Sequence, residues 1–189
     1  MPFKRGYQVH FTATRKGWGR EVEGAQFGEE FKNQKSVPGG WGVYMMAQIE
    51  TIPKKENHVR LSETEVDDWG IPQIITSVNY DDNDELLLQD FFEQGTEMLK
   101  KAGCENIKTS DSKQAPGLDI HEVGGIRMGK DPKSSLLNKW NQLHNCENVF
   151  VTDGSCFTST ATQNPSLTFM AITVRAADYA ARQLKEAKF

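Results

Sequence analysis

Residues 81–103, DDNDELLLQDFFEQGTEMLKKAG, change the character of the chain. Leu87, Leu88, Phe91, Gly95, Met98, Leu99 and Ala102 recur there at intervals of three and four, the period of one face of an α-helix. Acidic residues gather at its start and Lys100-Lys101 precede Gly103, the charge order favoured by the helix dipole and the residue that commonly ends a helix. The sequence before this helix reads as strands. YQVHFTA (7–13) and WGVYMMAQIETI (41–52) are aromatic and β-branched between glycines, NHVRLS (57–62) alternates, Asp67-Asp68-Trp69-Gly70 turns the chain, and PQIITSVNY (72–80) resumes a strand. Together they predict a small sheet. Beyond the helix, after a polar stretch, VFVT (149–152) predicts a short buried strand. Pro165 to about Lys185 predicts a second long helix, with Leu167, Met170, Ala171, Val174 and Ala177–Ala181 on its packed side. Strands first and helices interleaved later, without regular alternation, predict an α+β fold: a mixed or antiparallel sheet with packed helices rather than a doubly wound parallel sheet.

The stretch from about 15 to 40 is a long glycine-rich loop that can hold a short helix through Phe27 and Phe31, one turn apart. It reads as surface connection, with a substrate-side loop as the functional alternative. Gly17-Trp18-Gly19 and Gly40-Trp41-Gly42 lack the third glycine of a dinucleotide-binding G-x-G-x-x-G, and neither opens a helix after a strand. Trp18, Trp41, Trp69 and Tyr44 are candidates for stacking on sugar rings, against the commoner role of core residues in a sheet.

With 189 residues, 37% of them hydrophobic, the chain has material for one ordinary core. No apolar run reaches the ~18 residues of a membrane span, so membrane insertion is not expected. The formal net charge of −4 offers no field that gathers phosphates along a nucleic acid, which is therefore not an expected partner. Cys104, Cys146 and Cys156 are an odd count without a C-x-x-C pair. They suggest neither a disulfide framework nor a zinc knuckle, and they fit a reducing compartment.

Two stretches carry chemistry. In HEVGGIRMGKDP (121–132) a single imidazole, His121, stands beside glycines that allow close backbone approach to a ligand. An imidazole titrates near working pH and is suited to general-base work, although a lone His is more often structural. In NVFVTDGS (148–155) a strand runs out into Asp153-Gly154-Ser155, and a polar loop then leads to Asn164-Pro165-Ser166. Asn164 sits where an N-cap belongs, with Pro165 as the first helical residue, so the positive end of the last helix faces whatever lies beyond Asn164. Capping alone is the commoner use of such an asparagine.

Together HEVGGIRMGKDP, NVFVTDGS and QNPSLTFMAITVRAADY (163–179) resemble the C-terminal domain of the glucose–methanol–choline (GMC) flavin oxidoreductases. The likeness is dense over 119–180 and looser over 1–118, where Lys54 to Leu61 and Asp67 to Pro72 are similar to the family's strand-and-turn segment. The opening Phe3-Lys4-Arg5-Gly6-Tyr7-Gln8 resembles that of sugar-oxidising members. The resemblance implies the catalytic pair His121 and Asn164. His121 would accept a substrate hydroxyl proton while the carbinol hydrogen leaves as hydride to flavin N5, and Asn164 would hydrogen-bond the same oxygen. It implies FAD as cofactor, approached by Asp153, Gly154, Asn164, Pro165 and Ser166, with the helix N-terminus favouring the charge of reduced flavin. It further implies a sheet-and-helix part over 1–118 and a catalytic-motif part over 119–189, together one compact domain. Ile126 departs from the family, which often has Thr there. The family's Rossmann unit with its G-x-G-x-x-G is not in this sequence, so the resemblance implies a C-terminal fragment or separately encoded half. Such a piece would be inactive alone and would need an FAD-binding domain in cis or as another chain. An exposed apolar face is expected where that domain packs, and homodimerisation through it is a further expectation.

Other readings are weaker. A non-catalytic binding or assembly module with this fold and no cofactor is the alternative. His144-Asn145-Cys146 with Asp131 lacks a second ligand pair for a metal, and Ser155 is not in a G-x-S-x-G elbow. Neither a metal site nor a serine hydrolase is expected.

Overall fold

A computed structural model describes residues 2–22, 24, 27–118 and 120–186. Three residues of the 15–40 loop, Asp119 at the head of the dense family likeness, and the last three residues lie outside the described part. The elements run β1 (Tyr7–Arg15), α1 (Gly28–Ser36), β2 (Trp41–Ile49), β3 (His58–Val66), β4 (Pro72–Ser77), α2 (Asp82–Lys101), β5 (Gln142–Leu143), β6 (Cys146–Phe150), a single 3-10 turn (Gly154–Cys156) and α3 (Ser166–Lys185). The content is α+β, as predicted. The expected single sheet is instead three antiparallel two-stranded ladders, β1–β2, β3–β4 and β5–β6. Each predicted strand found the neighbour nearest in sequence, and among the described residues no bridge joins one ladder to another.

The β1–β2 ladder is regular from Tyr7 opposite Ile49 to Arg15 opposite Trp41. The excursion between them is fastened by its cations. Arg20 donates to the carbonyls of Gly17, Gln34 and Val37, and Lys35 to those of Trp18 and Arg20. Phe27 precedes α1 and is 87% exposed, so the short helix does not rest on a Phe27–Phe31 pair. Trp18, Trp41, Trp69 and Tyr44 are all exposed rather than core.

Helix α2 begins with a full capping box. The Asp81 carboxylate accepts from the backbone N–H groups of Asn83 and Asp84, while the Asp84 carboxylate accepts from that of Asp81. Lys54 Nζ stands 3.0 Å from the Asp81 carboxylate, and this contact holds Asp81 below the usual carboxylate range. Burial instead pushes Asp84 upward. The helix buries Leu87 and Gly95. It meets β1 where Phe91 packs edge-on to Tyr7 at 5.7 Å and the Tyr7 hydroxyl donates to Asp90 at 2.6 Å.

A second centre forms around Leu137, Cys156 and Ala176, with Asn141 wholly buried among them. Two expectations change here. The strand expected over 149–152 is β6, Cys146–Phe150, and it is not buried: Val149 is exposed and Phe150, Val151 and Thr152 are half-buried. On α3 the packed residues are Phe169, Ala176 and Tyr179, whereas Leu167, Met170 and Val174 are 79%, 65% and 70% exposed. The helix has apolar residues on two sides, and the described residues of the chain supply a partner for one. The accessible surface totals 14353 Å², against roughly 9,100 Å² for a compact protein of this mass.

Candidate active site

The candidate residues lie on three segments that the fold draws together. Residues 126–128 run beside 155–156: the Ile126 N–H donates to the Ser155 carbonyl and the Met128 N–H to the Cys156 carbonyl, each at 2.9 Å. Gly124 turns the chain with φ +94°, a conformation that favours glycine, facing the Phe157 carbonyl. Gly154 is the point of closest approach. A Cβ on it would lie 3.1 Å from the Phe169 ring and 3.2 Å from the Glu122 carbonyl oxygen. Phe169 belongs to the first turn of α3, and its ring packs against Phe157 at 4.9 Å. The residue after His121, the Asp153-Gly154 pair and the opening of α3 therefore meet at one glycine.

His121 is half-buried at the head of its segment. Asn164 is exposed, and its amide has no partner among the described residues. No hydrogen bond among these residues joins His121 to Asn164; their segments are brought together, not the two side chains. The expected cap moves by one position. Pro165, buried, is the N-cap of α3 and Ser166 its first helical residue, with no side-chain hydrogen bond at the cap. Asn164 lies one residue outside, because the helix already closes through the Phe169 N–H to the Pro165 carbonyl. The first backbone N–H groups of α3 are thus left without a capping side chain, and the Asn164 amide is not consumed as one.

Asp153 is held by its own turn. One carboxylate oxygen accepts from both the backbone N–H and the hydroxyl of Ser155, which fixes the 3-10 turn that presents Gly154. Ser155 and Phe169 shape the site without having been singled out for that role. The Asp-Gly-Ser sequence was the available signal for the first, since aspartate favours such turns, whereas nothing local marks Phe169.

Ser135 and His144 adjoin, with Oγ 3.1 Å from Nε2. The Ser135 hydroxyl donates to the Asp131 carbonyl at 2.8 Å, so in this bond the imidazole is the donor and cannot act as a base on that serine. Among the described residues no three His, Cys, Asp or Glu side chains group as a metal site. No described helix is long and apolar enough to cross a membrane.

Comparison with known proteins gives a consistent picture. A family model described as GMC oxidoreductase matches residues 53–173. Paromamine 6'-oxidase of Streptomyces fradiae is 33% identical over 141 residues, 72% of this chain and 26% of the relative. The 2-methyl-1,2-propanediol dehydrogenase of Mycolicibacterium austroafricanum is 32% identical over 72% of this chain and 25% of its own length. The fructose dehydrogenase large subunit of Gluconobacter japonicus is 30% identical over 77% of this chain and 26% of its own. The chain thus aligns with about a quarter of the length of these relatives.

Proposed function

The chain belongs to the GMC oxidoreductase family, and from that premise we propose that it is the C-terminal, substrate-side part of an FAD-dependent enzyme oxidising an alcohol or sugar hydroxyl. The relatives are named as an oxidase or dehydrogenase of paromamine, a propanediol and fructose, which supports that substrate class. The observation that carries the reading is the meeting of the His121 segment, Gly154 and an uncapped α3 N-terminus.

One observation supports a flavin here: the N–H groups at the start of α3, which no capping side chain claims, suit the negative charge of a reduced flavin. Gly154 serves the site differently, by letting the Glu122 backbone and the Phe169 ring close on the Asp153 turn. Asp153, Gly154, Asn164, Pro165 and Ser166 would hold the cofactor. Bound FAD supplies the acceptor for the hydride that leaves the carbinol carbon. The chain's own residues act on the hydroxyl. The His121 imidazole takes its proton, a contribution worth roughly 10²–10⁴-fold in rate, and the free Asn164 amide orients the same oxygen without taking a proton. The exposed Leu167, Met170 and Val174 on α3, with the large total surface, support an FAD-binding domain as the covering partner, in cis or as a separate chain. A homodimer is the competing way to cover them.

The test is His121→Ala and Asn164→Ala in the protein carrying its FAD-binding domain. Flavin content should be unchanged in the His121 variant, while flavin reduction by substrate, per bound flavin, should slow by about 10²–10⁴-fold in the His121 variant and by less in the Asn164 variant. Unchanged reduction in the His121 variant would reject the catalytic reading.

A further inference from the structure

A cavity of about 670 Å³ opens between the 128–144 segment and α3. Its lining includes Lys130, Lys139 and Arg175, with Trp140 and Tyr179 as apolar wall, and contains no carboxylate. None of these three cations is in an ion pair among the described residues. Surface cations are ordinarily free to swing, but Arg175 is not. Its guanidinium donates to the Asn141 side-chain oxygen at 3.0 Å, and Asn141 is wholly buried with its amide nitrogen donating to the Val151 carbonyl at 2.9 Å. The Asn141 amide is thereby locked with its oxygen toward Arg175, and a guanidinium so anchored keeps further N–H donors for a ligand. Trp140 stacks face to face on Tyr179 at 4.8 Å and 4°, and Lys139 Nζ lies 5.0 Å from the indole centroid. The rings are therefore engaged with their neighbours, so charge is the chemistry this cavity has left to offer.

We propose that this cavity is a binding site for a phosphate dianion, free or carried on a small molecule, separate from the oxidation site. Three cations in the lining of one cavity exceed what a single carboxylate neutralises, whereas a phosphate monoester carries about −1.5 to −2 at neutral pH. Its oxygens match the Arg175 fork, with Lys130 and Lys139 as point charges beside it. The volume lies in the range of about 300–1,000 Å³ typical of small-molecule sites and has room for an ester as well as the bare ion. Arg175 is ten residues along α3 from Pro165, about 15 Å at helical rise, so a ligand here need not displace the flavin or the substrate.

The test is calorimetric titration of the 189-residue chain with inorganic phosphate, glucose 6-phosphate and glucose, at ionic strength fixed with chloride. Saturable binding of phosphate or of glucose 6-phosphate, but not of glucose, is expected. The tighter of the two identifies the source as the free ion or an ester. Arg175→Gln should weaken binding by about tenfold or more. Because that change also deprives Asn141 of its partner, the double variant Lys130→Gln/Lys139→Gln, which alters only exposed side chains, should independently weaken it several-fold. Absence of saturable binding at about 10 mM phosphate, or binding that both variants leave intact, would overturn the proposal. So would binding of an acidic peptide where phosphate and its ester fail, which would make the cavity a protein-docking surface.

Discussion

Gly154 lies so close to Glu122 that a methyl group on it would stand 3.2 Å from the Glu122 carbonyl oxygen and 3.1 Å from the Phe169 ring. That one approach sets the separation between the segment bearing His121 and the start of α3. Gly154→Ala should therefore push the two apart by a few tenths of an ångström. We expect a loss of about 1–3 kcal/mol in stability, read as a shift in urea midpoint, with a fall in activity beyond what the unfolded fraction explains. A variant as stable as the parent would show that the approach is not tight.

Gly129 provides the harsher counterpart. A Cβ there would stand 2.6 Å from the Cβ of Ser135, a side-chain atom fixed to its backbone. Gly129→Ala should lower the urea midpoint more than Gly154→Ala and disturb the Ser135–His144 contact, visible in the His144 ring resonances.

Nearer the middle of the chain, the Asp81 cap is testable by itself. Asp81→Ala removes acceptors for two backbone N–H groups and the partner of Lys54, and should cost about 1 kcal/mol. Lys54→Gln, which leaves the cap intact, should cost less. Equal losses would assign the effect to the ion pair.

Much of this was legible locally. The three-and-four spacing from Leu87 onward and the acidic start gave α2 to within a residue or two, whereas the capping box of Asp81 and Asp84 emerged only from the structure. β5 was not legible, since two residues carry no period. The packed side of α3 was misread for another reason: Leu167, Met170 and Val174 are as apolar as any core stripe, and period alone says nothing about which stripe finds a partner. The candidate site was readable only as motifs, and neither the contact at Phe169 nor the Arg175–Asn141 bond could be read there, because Gly154 and Phe169, and Arg175 and Asn141 34 positions before it, meet only through the tertiary fold.

Those three α3 residues give a further prediction. Replacing Leu167, Met170 and Val174 together by Gln should change the stability of the isolated chain by no more than about 0.5 kcal/mol per site, as for exposed positions. It should nonetheless abolish association with an FAD-binding partner, followed by sedimentation. A large loss of stability in the monomer would mean that this face is packed within the chain.

The Tyr7 hydroxyl gives a pH dependence. Burial first, and the Asp90 carboxylate second, push its pKa up to about 12 from 10.0. The folded state holds this proton more tightly than the unfolded chain does. The stability it contributes is therefore whole below pH 10 and fades as pH rises toward 12. Tyr7→Phe should cost about 1 kcal/mol at neutral pH, and its difference from the parent should shrink over that alkaline window. A constant difference would exclude the linkage.

The bond from Tyr7 to Asp90 joins residues 83 positions apart, and the backbone of Lys4 is tied to Asn83 at both its N–H and its carbonyl. On a ribosome adding about 5–20 residues per second, the N-terminal strand therefore waits roughly 4–17 s for the helix that secures it. The hairpin with β2 can close during that interval, but the Phe91 ring against which Tyr7 will settle does not yet exist. For those seconds the nascent chain carries a bare two-stranded ribbon, and a chaperone that shields strand edges would find its client there.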